Sequence, residues 1–323
     1  MIKILFVHEA FKPTSTENGA LLFRKSVPMS SVAEIPTSGP LPPNRPMRGR
    51  AVNVTVLTLI VAIVILSPST PCKAQGLYGA PPENLKLQLR ALLRAYPDWI
   101  SGYDDKFLFL KTGTKFAISD GRTNKTFDQL LEAPDIDDMF FVPYPTGKMP
   151  QQPAKNFDPG RVRYQPLFTA MYGDCRKNGV TRKLRKVAWL PKHGGGYVLI
   201  TTVNGVDRAL QAVSYELDEL PASLIKYLNP TAGTYNCRNI AGSNARSMHA
   251  YAAAIDINAH FSNYWRWVSK NAQKIKWKNL IPVKIIRIFE KHGFIWGGYW
   301  YHYDTMHFEY RPELLKISPR SRE

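Results

Sequence analysis

Cysteine is scarce in this chain of 323 residues: Cys72, Cys175 and Cys237 are all it has. No two of them form a Cys-x-x-Cys pair, which argues against a structural thiolate zinc site. The sequence has no H-E-x-x-H, so no single helix face presents two metal-binding imidazoles in the familiar way. It has no G-x-S-x-G, so no nucleophile elbow of the hydrolase type is expected, and no internal repeat is visible. Acidic residues are few beside basic ones, 25 against 43, giving a formal charge of +18. That surplus suits an anionic partner or surface. Zinc-finger spacing, an Arg-rich helix and an aromatic-basic module are all missing, so nucleic acid is not expected as a partner. An anionic cell envelope accounts for the charge equally well.

Long apolar runs are also missing. The only one of note, Val54 to Leu66, is shorter than the roughly 20 residues a spanning helix needs. Met47-Arg48-Gly49-Arg50 precedes it and the small polar SPSTPCKAQ follows. A basic start, a short apolar core and a small-residue exit read as a secretory signal over residues 47–74, cleaved after Ala74. An uncleaved membrane anchor is the alternative. Residues 1–46 have no sustained period and read as disordered, or as a mis-assigned extension ahead of a true start at Met47. The expectation is therefore an exported protein, periplasmic or extracellular, which meets the membrane only through its signal segment. Cleavage removes Cys72 and leaves Cys175 and Cys237, an even pair for which an oxidising compartment favours a disulfide.

Hydrophobic residues make up 44% of the chain, enough for one large domain or two modest ones with real cores. Apolar spacing predicts an amphipathic helix over Asn84–Tyr96, a hairpin within Lys106–Ile118 and a short helix over Phe127–Glu132. The proline-containing stretch Pro143–Pro159 reads as a linker, with a soft boundary near Asn156. Beyond it, Asn204-Gly205 between two apolar runs predicts a two-residue hairpin turn. Helices are expected at Pro221–Leu228, Ser262–Lys276 and Pro282–His292, the last ended by Gly293. Thr234–Arg238 reads as extended, and Ala254–Asn258 and His307–Tyr310 as strands. The fold class is α+β. Residues 75–156 form a smaller N-terminal α/β region of unassigned role, and residues 157–323 a domain with a small antiparallel sheet and flanking helices.

The chemistry concentrates in two stretches, Ser247–Asn258 (SMHAYAAAIDIN) and Asp304–Glu309 (DTMHFE). They offer two imidazoles, His249 and His307, and two carboxylates, Asp256 and Asp304. Two His and one Asp suit a catalytic zinc, with a fourth position left for water. The second acid is then free to act as a base on that water. His249 and Asp256 are seven positions apart, so a loop must carry the first into a strand carrying the second. His307 must arrive on a neighbouring strand, and a turn or bulge must place Asp304. Glu309 is either a partner of a ligand or a structural residue, and Ser247 steadies His249 or its loop. Trp296, Trp300 and Tyr303 either wall a cleft or pack the core. His260, His292 and His302 read as ordinary, and His193, beside Gly194-Gly195-Gly196, as a loop feature.

The pattern S-x-H-x-x-G-x-A-x-D-I followed by D-x-M-H-F-E resembles the zinc D-Ala-D-Ala carboxypeptidases and L-alanyl-D-glutamate endopeptidases of the VanY-like family. The resemblance runs from about Gly233 to Leu315 and implies the Hedgehog/DD-peptidase fold. It implies Zn2+ held by His249, Asp256 and His307, with Asp304 as general base. An upstream arginine that polarises the scissile carbonyl or holds a substrate carboxylate carries over to Arg238, with Arg246 competing. The implied substrates are peptidoglycan peptides, and the chain is read as a monomer. One position departs from the pattern: the usual glycine is Ala252, which costs on the order of 1 kcal/mol if a positive φ is needed there. The alternative reading is a non-catalytic cell-wall binding protein on the same fold, which loss of a ligand or base would signal.

Overall fold

The computed structural model describes Tyr78, residues 81–269 and residues 274–316, all within one compact unit. The expected signal segment and the 1–46 extension lie outside the described residues, and among those described no helix is long and apolar enough to cross a membrane.

Helix α1, Leu85–Ala95, buries Leu89, Ala91, Leu92 and Ala95 at helical spacing. Strands β1 (Ile100–Tyr103), β2 (Phe107–Leu110) and β3 (Lys115–Ala117) follow as an antiparallel meander. Helix α2 covers Phe127–Glu132, and Thr126 with Gln129 closes a capping box at its start. Residues 143–159 form no helix or strand, but they are tied down. The Tyr144 hydroxyl donates to Glu290 Oε1 at 2.9 Å and accepts from the Trp296 amide at 2.9 Å. One apolar cluster runs from Leu89 to Leu314, so the core is not interrupted at Asn156.

Helix α3 (Gln165–Tyr172) leads to an antiparallel hairpin of β4 (Leu184–Ala188) and β5 (Tyr197–Thr201). The hairpin expected around Asn204-Gly205 is not there. Both residues do have positive φ, 56° and 70°, as such a turn requires. They lead instead into α4, Val206–Asp218, where Val206, Leu210, Val213 and Leu217 are buried along one helical stripe. The helical period of the following residues outweighed the turn dipeptide. After α5 (Ala222–Ile225), Thr234–Arg238 forms no strand, and the chain pairs only through isolated bridges such as Gly233 with Asp256.

The sheet that matters for chemistry is made by β6 (Ala254–Asp256), β7 (Phe294–Trp296) and β8 (His307–Tyr310), in the antiparallel order β6-β8-β7. Between β6 and β7 the helix expected over Ser262–Lys276 shrinks to α6, Trp265–Val268, within the described residues. Its backbone is used elsewhere: the Trp265 amide donates to Tyr303 O at 3.0 Å, and Tyr264 bridges to Asp304. Helix α7, Val283–Lys291, lays Ile285, Ile286 and Phe289 on this sheet, and the Phe289 and Phe308 rings stack at 3.8 Å. It ends at Gly293, with φ 91°, where any Cβ would meet the Tyr310 ring at 2.8 Å. The last element, α8 (Pro312–Leu315), packs on α1. Cys175 and Cys237 form a disulfide, as expected.

Candidate metal centre and cleft

His249 sits in a single 3-10 turn, Met248–Tyr251, capped by the Ser247 side chain, which accepts from the His249 amide. The turn closes on Ala252 in the left-handed region, φ 52°. That one residue swings the chain into β6 and so brings His249 and Asp256 together. Asp256 and His307 are direct cross-strand partners on β6 and β8.

The three side chains meet. His249 Nε2 lies 3.1 Å from His307 Nδ1 and 3.1 Å from Asp256 Oδ1, and His307 Nδ1 lies 2.9 Å from Asp256 Oδ1. The outer ring nitrogens are engaged too. His249 Nδ1 is 2.6 Å from Thr234 O, and His307 Nε2 is 3.0 Å from Glu309 Oε2. Both of those partners can only accept, so each outer nitrogen carries the proton. The inner nitrogens of the neutral rings are therefore lone pairs, and with Asp256 Oδ1 they make three acceptors crowded together. Three acceptors at that separation need a positive charge between them. A proton can serve: burial disfavours charge on His307, but Asp256 and Glu309 outweigh it and raise His307 to about 10. A divalent ion serves better. Tetrahedral ligands about 2.0–2.1 Å from one zinc lie about 3.3 Å apart, close to what is seen, and two imidazoles with one carboxylate match zinc better than calcium or magnesium. The pair of tied outer nitrogens is the usual way a protein fixes ligand tautomer and orientation.

Glu309, fully buried on β8, anchors this arrangement. Its carboxylate accepts from Arg163 Nη1 at 3.0 and 3.1 Å, and Arg311 Nη1 stands 3.4 Å away. Arg311 in turn pairs with Glu313, to which the Tyr96 hydroxyl donates at 2.6 Å. A buried polar chain thus links the end of α1 to His307.

Asp304 stands in the turn before β8, its amide donating to Gly297 O at 3.0 Å. Its Oδ1 is buried and has no hydrogen-bond partner among the described residues. Burial, then the charge of Asp256, raises Asp304 to about 6. It lines the same cleft as Asp256 and His307. Such an acid, with one oxygen unpartnered beside a cation site, can take up or give a proton.

Of the two arginine candidates, Arg238 lines the cleft. Arg246 is engaged elsewhere: its Nη2 is 3.2 Å from Asp174 Oδ1 and its Nη1 3.1 Å from Cys175 Sγ. Trp300 lines the cleft, whereas Trp296 and Tyr303 are fully buried. His302, read as ordinary, also lines it, with Nδ1 2.6 Å from Asp158 Oδ2. Arg161, Tyr264, Trp265 and Trp267 are further lining residues that sequence reasoning missed. Arg161 lies far upstream of the paired motif and no local pattern marks it. A second cluster, Asp135, Asp137 and Asp138, also has carboxylates within reach of one another. Its cation is already present: Lys125 Nζ pairs with Asp120, Asp135 and Asp138.

Residues 241–310 match the family model described as D-alanyl-D-alanine carboxypeptidase. This segment contains His249, Asp256, Asp304, His307 and Glu309, and the family implies the Hedgehog/DD-peptidase fold. No curated protein and no solved structure matches the chain.

Proposed function

We propose, with the D-alanyl-D-alanine carboxypeptidase domain at residues 241–310 as premise, that this chain is a zinc-dependent peptidase acting on peptide bonds of the peptidoglycan stem. The observation that carries this reading is the meeting of three acceptor atoms, each imidazole held from behind, beside an acid with an unpartnered oxygen. His249, Asp256 and His307 would hold the ion. When bound, zinc polarises a carbonyl and lowers the pKa of a water from about 15.7 to about 7. Asp304 takes the proton of the attacking water and then gives it to the leaving amine. Arg238, at the cleft wall, offers N–H donors to the oxygen on which charge builds, a contribution of roughly 3 kcal/mol per donor.

Export to the periplasm or cell exterior, directed by residues 47–74, agrees with a wall substrate, and the basic surface would keep the protein near an anionic wall. Loss of a ligand or base would signal a wall-binding role without turnover, and His249, Asp256, Asp304 and His307 are all present. The test is to incubate the zinc-loaded protein with stem peptides ending in D-Ala-D-Ala and with peptides holding an L-Ala–D-Glu bond, and to weigh the fragments. Cleavage of one set, abolished in Asp304→Asn with zinc retained, is expected. Intact peptides in both sets would refute the reading.

A further inference from the structure

The cleft does not stop at the metal centre. The cavity lined by Asp256, Asp304 and His307 has a volume of about 310 Å³. A second cavity, of about 640 Å³, shares Arg161, Ala241, Trp265 and His302 with it. The far wall of this second cavity comes from α2, through Phe127, Asp128, Leu131 and Glu132, and from Lys155 and Asn156. None of that wall belongs to the family-matched segment.

Two guanidinium groups line the second cavity next to the residues the two cavities share, and each is held in place. Arg161 Nη1 lies 3.0 Å from Asp158 Oδ2, and its guanidinium lies 5.7 Å over the Trp300 ring. The same buried Asp158 accepts from the His302 amide at 3.0 Å and faces His302 Nδ1, so one carboxylate fixes both wall residues. Arg266 lies 4.9 Å over the ring of the shared Trp265, and its Nη2 donates to the shared Ala241 O at 2.8 Å. Gly242 makes room for it: a Cβ there would come within 2.7 Å of Arg266 Nη2. A guanidinium has five N–H donors. Among the described residues each of these two side chains makes one hydrogen bond, so donors remain for a ligand. Held cations of this kind bind a planar carboxylate with little loss of side-chain freedom. The far wall carries charges of both signs, Asp128 and Glu132 beside Lys155.

We propose that Arg161 and Arg266 form a carboxylate-binding subsite at this junction, and that the wall built by residues 127–161 extends the cleft for acidic peptides. This rests on the peptidase reading above and names its substrate class. A free C-terminal carboxylate and an internal acidic side chain share the chemistry. The open cavity beyond the junction leaves room for the chain to continue, which favours the internal acidic residue.

The test uses Asp304→Asn protein loaded with zinc, so that peptides bind without turnover, and calorimetry with four probes. These are a D-Ala-D-Ala peptide, its C-terminal amide, an amidated L-alanyl-D-glutamyl peptide and its D-glutaminyl counterpart. The D-glutamyl peptide should bind about tenfold more tightly than the D-glutaminyl one. That preference should fall below about twofold in Arg161→Gln and in Arg266→Gln, and Arg161→Lys should restore part of it. Arg266→Gln changes a side chain on the cleft surface, so it remains informative if Arg161→Gln disturbs folding. Equal binding of the acid and amide forms, or a preference that survives both arginine changes, overturns the subsite. Preference only for the free C-terminus overturns the assignment to an internal acidic residue. Failure of the zinc-loaded native protein to cleave any peptide sinks the peptidase reading and leaves this binding difference standing.

Discussion

Glu309→Gln changes one charge in a buried network that joins two arginines to His307. The carboxylate lies within 3.0 Å of both Arg163 Nη1 and His307 Nε2, and 3.4 Å from Arg311 Nη1. Glutamine keeps the shape but offers one acceptor oxygen to two strong donors, so a buried N–H loses its partner at about 1–3 kcal/mol. Arg163, itself buried, also loses its counter-charge, and breaking a buried ion pair costs roughly 3–5 kcal/mol. Arg311 keeps Glu313, which moderates the loss. The expected net destabilisation is about 3 kcal/mol, compatible with a folded protein if the parent has the usual 5–15 kcal/mol or so. The His307 ring, no longer held from behind, should cost roughly 10–100-fold in zinc affinity. Urea unfolding of chelator-treated protein measures the first quantity, and competition with a chromophoric chelator the second. A loss under about 1 kcal/mol with unchanged zinc affinity would refute the role given to Glu309.

Other consequences are as direct. Asp304→Asn should lower kcat by about 10²–10⁴-fold while the bound zinc per chain, measured by elemental analysis, stays the same. A base works only when deprotonated, so kcat/KM should fall tenfold per pH unit on the acid side. Burial and Asp256 set the Asp304 pKa at about 6, and a bound cation pulls it lower, so the midpoint of that limb should lie at or below about 6. A limb centred well above pH 7 would assign the base elsewhere. Ala252→Gly relieves a left-handed alanine at about 1–2 kcal/mol, but it adds unfolded-state freedom of about 0.5–1 and loses a buried methyl worth about 0.8. Chemical denaturation should show a change within about 1 kcal/mol of zero. Replacing Cys175 and Cys237 by serine opens a loop with a sequence separation of 62 and should cost roughly 4 kcal/mol by loop-closure entropy.

The sequence carried the site better than the fold around it. His249, Asp256 and His307 were legible as a ligand set because their residue types stand in two short stretches that resemble one family pattern, and the long-range pairing of β6 with β8 then brings them together. The resemblance, with a glycine usual at position 252, raised the question of a positive φ there, and Ala252 does adopt one. The fate of Asn204-Gly205 was not, because the dipeptide suits two continuations and the helical stripe after it decides between them. The short helix at Trp265 was misjudged because its backbone is drawn into the 303–305 loop, a long-range contact no local pattern reveals. Arg161, Arg163 and His302 were missed for a similar reason. Each gains its meaning from a partner far along the chain, Arg161 from Trp300, Arg163 from Glu309 and His302 from Asp158. The continuity of the core through residue 156 is likewise a packing fact, visible only once Tyr96 is seen beside Glu313.

The central claim is that His249, Asp256 and His307 grip one divalent ion. The most direct measurement is zinc binding to the purified, chelator-stripped protein, followed by calorimetry together with X-ray absorption at the zinc edge. One ion per chain is expected, with two nitrogen donors and at least one oxygen donor at about 2.0–2.2 Å, and with binding lost in His249→Ala and in His307→Ala. No zinc uptake at micromolar metal, or uptake undiminished in both variants, would contradict the account.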